Sequence, residues 1–471
     1  MTAADEPRPP IPTFPDGFLW GAATSSYQIE GGVDLDGRGP SIWDTFARRP
    51  GAIADGTDGS VAVEHRTRMR DDVRLMAELG LGAYRFSIAW PRVQPEGKGA
   101  VSTSGLDFYR DLVEALLEVG IVPVATLYHW DLPQALEDAG GWPARDTAGR
   151  FADYAEVVGD ALGDRVARWS TVNEPWCSAM LGYAAGVHAP GRTDPAAAVA
   201  AAHHLLLGHG MGVDALRATV TAADPEIGIT LNPYPVHPAG ESELDRDAAR
   251  RVDGIANRIW YDPILRGAYP EDVLDDLRAV SDLAHIRDGD LDVISRPIDA
   301  MGLNYYRRHH VRHRRGASAS PSPWPGSPDV EAVDPGRPVT DLGWAIEPDG
   351  LTETLVDLWR DYDAPPLYVH ENGAAFADVV GPDGIVHDAD RIDFLDGHLR
   401  ACAAAIDEGV DLRGYFAWSL LDNYEWAEGY RKRFGVVHVD YDTQVRTPKD
   451  SGRWYAEVLR TSREAARRSG G

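Results

Sequence analysis

The feature that most constrains this chain is an eightfold alternation of short β-rich runs with amphipathic helical stretches, between about residue 18 and about residue 458. The runs are Phe18–Thr24, Ala83–Trp90, Val122–Trp130, Arg168–Glu174, Ile227–Asn232, Ala300–Tyr306, Leu367–Glu371 and Gly414–Leu421. Strands separated by helices run parallel, because the chain must cross back over the sheet before it pairs again. Eight such units close most economically into a (β/α)8 barrel, an α/β fold with long βα loops around one rim. An open doubly wound sheet is the alternative. It calls for a glycine-rich phosphate loop after the first strand, and Gly31–Gly32 is too weak a signal for one.

The helices carry readable boundaries. Leu106, Tyr109, Leu112, Val113, Leu116 and Leu117 share one face, with Ser104 as the expected cap and Gly120 as the stop. Asp194–Pro195 opens an Ala-rich helix with a capping residue and a first-turn proline. Leu351, Leu355, Leu358 and Trp359 line another face, and Phe151, Tyr154, Val157, Val158 and Leu162 a further one. Two stretches leave the alternation. Residues 233–299 form a long connection with helical pieces around Ala256–Leu265 and Glu271–Leu277. Residues 307–343 begin with Arg307 to Arg315, five Arg and three His, and pass into Ser/Pro/Gly-rich sequence, expected as a flexible rim over a pocket. The expected organisation is a single catalytic barrel over 14–460, with a disordered tail at 1–13 and a C-terminal tail at 461–471.

Lys plus Arg number 46 against 74 Asp plus Glu, a formal charge of −28. Such acidity repels phosphate backbones and anionic headgroups, so nucleic acid and membrane are poor partners and a small-molecule substrate is favoured. Self-association into a homo-oligomer is compatible with the sequence. Of the two cysteines, Cys402 falls on the apolar stripe Leu395, Leu399, Cys402, Ile406 and reads as a buried small hydrophobe. Nothing demands an oxidising compartment, the Pro-rich start lacks the apolar core of a signal peptide, and no run of 18 apolar residues occurs; a cytoplasmic location is expected.

Polar residues of unusual type gather at the carboxyl ends of the candidate strands, the face on which barrel active sites are built. They include Gln28 and Glu30 after the first, Arg85 within the second, and His129–Trp130 ending the third. Asn173–Glu174 ends the fourth, Asn304–Tyr305–Tyr306 the sixth and Glu371–Asn372–Gly373 the seventh, with Trp418, Glu425 and Trp426 in and after the eighth. Glu174 and Glu371 follow the apolar segments Trp169–Val172 and Leu367–Val369, so both emerge from the core. An ionised acid there costs several kcal/mol unless partnered. A single such acid reads more readily as a loop cap; two on one barrel face point to acid–base or nucleophilic chemistry.

The segments Tyr27-Gln-Ile-Glu-Gly31, Tyr84-Arg-Phe-Ser87, Leu127-Tyr-His-Trp-Asp131, Thr171-Val-Asn-Glu-Pro175, Gly302-Leu-Asn-Tyr-Tyr306, His370-Glu-Asn-Gly373 and Trp418-Ser-Leu-Leu-Asp-Asn-Tyr-Glu-Trp426 together resemble glycoside hydrolase family 1. The resemblance runs from about Phe14 to about Leu459. It implies a retaining β-glucosidase acting on terminal non-reducing β-D-glucosyl residues, with β-galactosides and β-fucosides also accepted. It implies Glu371 as nucleophile and Glu174 as acid/base, acting through a covalent glycosyl-enzyme. Arg85, Asn304 and Tyr306 would support the nucleophile. Gln28, His129, Trp130, Asn173, Trp418 and Glu425, with Trp426 and Phe434, would hold the sugar. Trp176 would flank the leaving group or pack as a core tryptophan. No cofactor or metal is implied.

Other readings predict other residues. A non-catalytic sugar-binding barrel would lack one carboxylate, and a thioglycosidase would lack Glu174. A 6-phospho-β-glycosidase would replace the Glu425–Trp426 region with phosphate-binding residues; Lys432 alone is commonplace on a loop. His203, His204 and His209 lack metal-ligand spacing and read as packing residues. His370 stands where Thr or Ser is common in the family, and strand alternation points it away from Glu371.

Overall fold

The computed structural model describes residues 9–317 and 321–469, and within it all eight expected strands pair side by side. In chain order they are β1 (Leu19–Ala23), β2 (Ala83–Ser87), β3 (Val122–Tyr128), β4 (Arg168–Asn173), β5 (Glu226–Leu231), β6 (Ala300–Asn304), β7 (Leu367–Asn372) and β8 (Leu412–Trp418). Every neighbouring pair is parallel, and β8 closes onto β1, so the sheet is a barrel without free edges. The chain is therefore a (β/α)8 barrel.

Helices form the outer layer. Thr103–Glu118 is capped by Ser102, whose hydroxyl accepts from Gly105 N at 3.1 Å, and not by Ser104, which lies inside the first turn. The serine before the turn has the extended backbone that a cap needs. Pro195–Thr219 is capped as expected, with the Asp194 carboxylate accepting from Ala197 N at 3.1 Å. This helix is long and apolar enough to cross a membrane, but most of its surface is buried within the protein, against Asp146–Leu162 among others. Its histidines serve packing. His203 Nε2 lies 2.8 Å from Asp290, His204 Nδ1 3.1 Å from the Trp142 carbonyl and His209 Nδ1 2.7 Å from Thr171 Oγ1.

The long connection 233–299 is mostly helical, with Glu243–Asp253 running through a π-turn at Gly254–Arg258 into Ile259–Arg266, followed by Glu271–Leu277. The stretch 307–343 carries strand structure: His309–His313 pairs with Val330–Ala332 and with Val236–Pro238. Of the expected N-terminal tail, residues 1–8 lie outside the described residues, while the Pro9 and Pro10 carbonyls accept from Arg400 at 2.9 and 3.3 Å. The last helix, Asp450–Ser469, runs through most of the segment expected as a C-terminal tail.

Two details of the sheet aim side chains at the rim. The β4–β5 register shifts between Ser170 and Asn173, and the β7–β6 register shifts between Val369 and Glu371. Such irregularities turn a side chain off the strict alternation of a strand. His370 consequently does not leave the barrel: it packs against Tyr368 and Phe416, with Nδ1 2.8 Å from Thr230 Oγ1. Glu371 follows it into the interior, one layer higher. Gly302 makes room, since a Cβ there would stand 2.0 Å from the His370 ring. Gly373 is required just as strictly, because its Cβ would lie 1.6 Å from the Trp418 carbonyl oxygen.

Candidate active site

A cavity of about 560 Å³ opens at the carboxyl ends of the strands. Both strand-end acids line it, and both are almost fully buried, Glu174 at 5% and Glu371 at 3% exposure. Their surroundings differ. Arg85, 0% exposed and rising from β2, donates from Nη1 to Glu371 Oε1 at 2.6 Å. The Tyr306 hydroxyl donates to the other oxygen of Glu371 at 2.8 Å. Glu174 has no cation in contact among the described residues; Asn304 Nδ2 donates to its Oε1 at 2.8 Å and the Cys177 thiol to its Oε2 at 3.2 Å.

That asymmetry sets the protonation order. Burial pushes Glu174 upward and the charge of Glu371 pushes it further, to about 8. Burial also raises Glu371, but Arg85, Tyr306 and Asn304 pull it back. The pair therefore gives up its first proton at Glu371, and Glu174 holds its own into neutral pH. Glu425 is raised to about 8 by burial and then by the two neighbouring acids, so the three carboxyl groups do not all carry charge near neutrality.

One guanidinium organises the adjoining wall. Arg85 Nη2 donates to Asn173 Oδ1 at 2.6 Å, which turns the amide nitrogen of Asn173 towards His129 Nε2, 3.2 Å away. Burial, and then Arg85, hold His129 well below the usual histidine range, so the ring is neutral. An amide donor facing Nε2 leaves the proton on Nδ1, and Nδ1 is buried without a partner among the described residues. His129 thus offers a free donor beside the cavity that it lines. Trp130 stacks obliquely on Trp426 at 4.5 Å and anchors its Nε1 on the Asn173 carbonyl at 3.1 Å.

Trp418, Glu425, Trp426 and Phe434 also line the cavity. Gln28, Asn173, Asn304 and Arg85 stand behind the wall. Gln28 is fully buried and donates to Asn423 Oδ1 at 3.0 Å, the Tyr424 carbonyl at 2.9 Å and Glu425 Oε2 at 3.4 Å. Glu30, from the same turn, points elsewhere and binds Arg92 at 2.9 Å and Tyr109 at 2.7 Å. Lys432 is likewise outside, 2.9 Å from the Asp341 carboxylate. Trp176 is nearly buried, as a core tryptophan would be, and also lines the cavity, its ring centre 5.4 Å from that of Trp324. Three residues of the site have left-handed backbones, Trp130 at φ 74°, Glu174 at φ 45° and Trp426 at φ 48°. Each such conformation costs about 1–3 kcal/mol and persists where the surroundings over-determine it, as active sites do.

The cavity also contains residues that strand-end reasoning passes over: Cys177, Tyr234, Arg307, His309, Trp324 and Trp344. Three of them carried a signal: Arg307 and His309 lie in the basic run at the start of the stretch 307–343 expected over the pocket, and Trp324 is a large aromatic in its otherwise Ser/Pro/Gly-rich part.

Chemically, one carboxylate held ionised by a cation and one acid held protonated in a shared cavity suit nucleophilic displacement with acid assistance. The pattern that defines glycosyl hydrolase family 1 matches residues 11–464. The chain is 47% identical to β-glucosidase A of Thermotoga maritima over 96% of this chain and 99% of that protein. It is 49% identical to a bifunctional β-D-glucosidase/β-D-fucosidase of Bifidobacterium breve, over 95% and 98% of the two chains. Among solved structures it superimposes on the psychrophilic β-glucosidase of Micrococcus antarcticus with a TM-score of 0.92, at 49% identity over 96% and 98% of the two chains.

Proposed function

The chain belongs to glycosyl hydrolase family 1, and from that premise we propose that it is a retaining β-glucosidase with Glu371 as nucleophile and Glu174 as acid/base. The observation that carries the assignment is the 2.6 Å contact of Arg85 with Glu371, which has no counterpart at Glu174. In the first step Glu371 attacks the anomeric carbon while Glu174 gives its proton to the departing glycosidic oxygen. The C–O bond to the aglycone breaks as the ester to Glu371 forms. Esterification removes the charge that raised Glu174, so its pKa falls and it becomes the base that takes a proton from the attacking water. Water then replaces Glu371 at the anomeric carbon, and two inversions give net retention.

The sugar is held by the free His129 donor, by Glu425 and by the faces of Trp418 and Trp426, with Gln28 and Asn173 as the buried layer behind them. Glu425 and Trp426 put a carboxyl group and an apolar ring where binding a phosphate would call for a cation, so the unphosphorylated glucoside is the substrate. The fucosidase activity in the name of the Bifidobacterium breve relative supports acceptance of β-fucosides here. Cello-oligosaccharides are included as substrates, and a cytoplasmic location belongs to the same proposal, supported by two free, buried thiols.

The test is product stereochemistry. NMR of the first product from an aryl β-D-glucoside is expected to show β-glucose, and α-glucose as the initial product would sink the retaining mechanism. A panel of aryl glycosides beside cellobiose and longer oligomers ranks the sugars and chain lengths.

A further inference from the structure

Arg307 differs from Arg308, Arg312 and Arg314 of the same run. Along the basic run, Arg308 binds Glu353 at 2.8 Å, Arg312 binds Glu331 at 2.6 Å, and Arg314 shares Glu331. Arg307 instead lines the cavity, and its guanidinium makes neither hydrogen bond nor ion pair among the described residues. Its contact is with the face of Trp344, 5.2 Å from the ring centre. A cavity-lining cation without a carboxylate partner is notable in a chain where Asp and Glu outnumber Lys and Arg by 74 to 46.

Trp344 packs in turn on Tyr306 at 5.5 Å and Phe434 at 6.3 Å, and a second set of contacts joins the surroundings of Arg307 to Glu174. From Glu174 the contacts run outward through Cys177 at 3.2 Å to Asn232 at 3.5 Å and to the Tyr234 hydroxyl at 3.3 Å. Tyr234 packs 4.3 Å from the His309 ring and 5.6 Å from Trp176, and Arg307 lies in the field of Tyr234 and Cys177. The acid that protonates the departing oxygen borders the leaving group, so these residues surround the aglycone. Trp176 and Trp324, packed on each other with ring centres 5.4 Å apart, give that region an apolar aromatic surface. Trp176 Nε1 is buried without a partner among the described residues. A guanidinium and an indole N–H are donors only, so what they bind must be an acceptor, and a planar fork suits a carboxylate.

We propose that Arg307 selects β-glucosides whose aglycone is an aromatic ring bearing a carboxylate, the ring lying against the Trp176–Trp324 pair and the carboxylate on the guanidinium. This rests on the β-glucosidase reading above. Glu428 lines the same cavity and would oppose an anion placed nearer the sugar side, which confines the selectivity to the Arg307 end.

The experiment compares kcat/KM for 4-carboxyphenyl and 4-carbamoylphenyl β-D-glucoside in the native enzyme, Arg307→Gln and Arg307→Lys. The carboxylate-to-amide ratio is expected to fall about tenfold or more in Arg307→Gln, the scale of a hydrogen bond to a charged group. Arg307→Lys should recover part of it, and the amide substrate should change little, which also reports that the variants fold. An unchanged ratio, or equal loss on both substrates, overturns the proposal. Calorimetric binding of 4-hydroxybenzoate separates the two readings. Binding by the native enzyme and not by Arg307→Gln, without hydrolysis of any glucoside, would refute the activity and leave the anion site standing; no binding by the native enzyme overturns the site.

Discussion

Cys177 donates its thiol to Glu174 Oε2 across 3.2 Å, at the oxygen opposite the one held by Asn304. A donor to a carboxylate favours the ionised form, so Cys177 works against the burial that keeps Glu174 protonated. Cys177→Ala should therefore move the alkaline limb of kcat/KM to higher pH, with kcat on activated substrates held within about threefold, since a thiol is a weak donor. Cys177→Ser should restore the native profile. A downward shift in Cys177→Ala would contradict this role.

The same limb has a native position. Glu174 must be protonated to assist departure, and its pKa in the free enzyme is about 8. The rate kcat/KM should fall as pH rises through that value, and Glu425→Gln should leave the limb standing, because Glu425 delivers no proton even though it titrates in the same region. A pH–rate profile of both proteins decides it. Loss of the limb in Glu425→Gln would assign the titration to the wrong acid.

Glu371→Ala should abolish turnover by at least about 10⁴-fold, as removal of a nucleophile does. Azide should restore turnover and release the inverted α-glycosyl azide, detectable by NMR. Ordinary activity in the variant would mean that another group attacks.

Glu174→Ala should distinguish leaving groups. With an alkyl or sugar aglycone the loss should approach about 10⁴-fold, the upper range for general acid catalysis, whereas an activated aryl glucoside should lose much less in the first step. Equal losses across a series of aglycones would argue against proton donation by Glu174.

Buried histidines outside the site tie stability to pH. Burial lowers His204 and His285 to about 4 and His209 to about 3, below the unfolded value of 6.5. The unfolded chain then binds more protons, so their stabilisation is complete above about pH 6.5 and is lost as pH falls from there towards 4. For fully buried His209 the loss is about 1.4 kcal/mol per pH unit in that window. Denaturant titrations at pH 7.5 and 5.5 should show a smaller difference in His209→Gln than in the native protein; an equal difference would exclude His209 as a contributor.

Much of this molecule was readable before its coordinates. The β runs and their amphipathic partners arise from local periodicity, and local periodicity is written in consecutive residues. That is why all eight strands fell within a few residues of their observed ends. The two glutamates were legible for a related reason, since a carboxylate emerging from an apolar strand is costly wherever the strand goes. Other features depend on residues far apart in the chain. Strict alternation sent His370 away from the site, and only the shifted pairing of β7 with β6 keeps both His370 and Glu371 inside the barrel. The tautomer of His129 follows from Arg85 through Asn173, and the free guanidinium of Arg307 is recognisable only once its neighbours are seen to be paired. Sequence alone therefore determined the barrel and its acids, because periodicity and burial cost act along the chain. Tertiary structure decided which acid stays ionised and what the leaving-group side can bind, because charge and hydrogen bonding act through space.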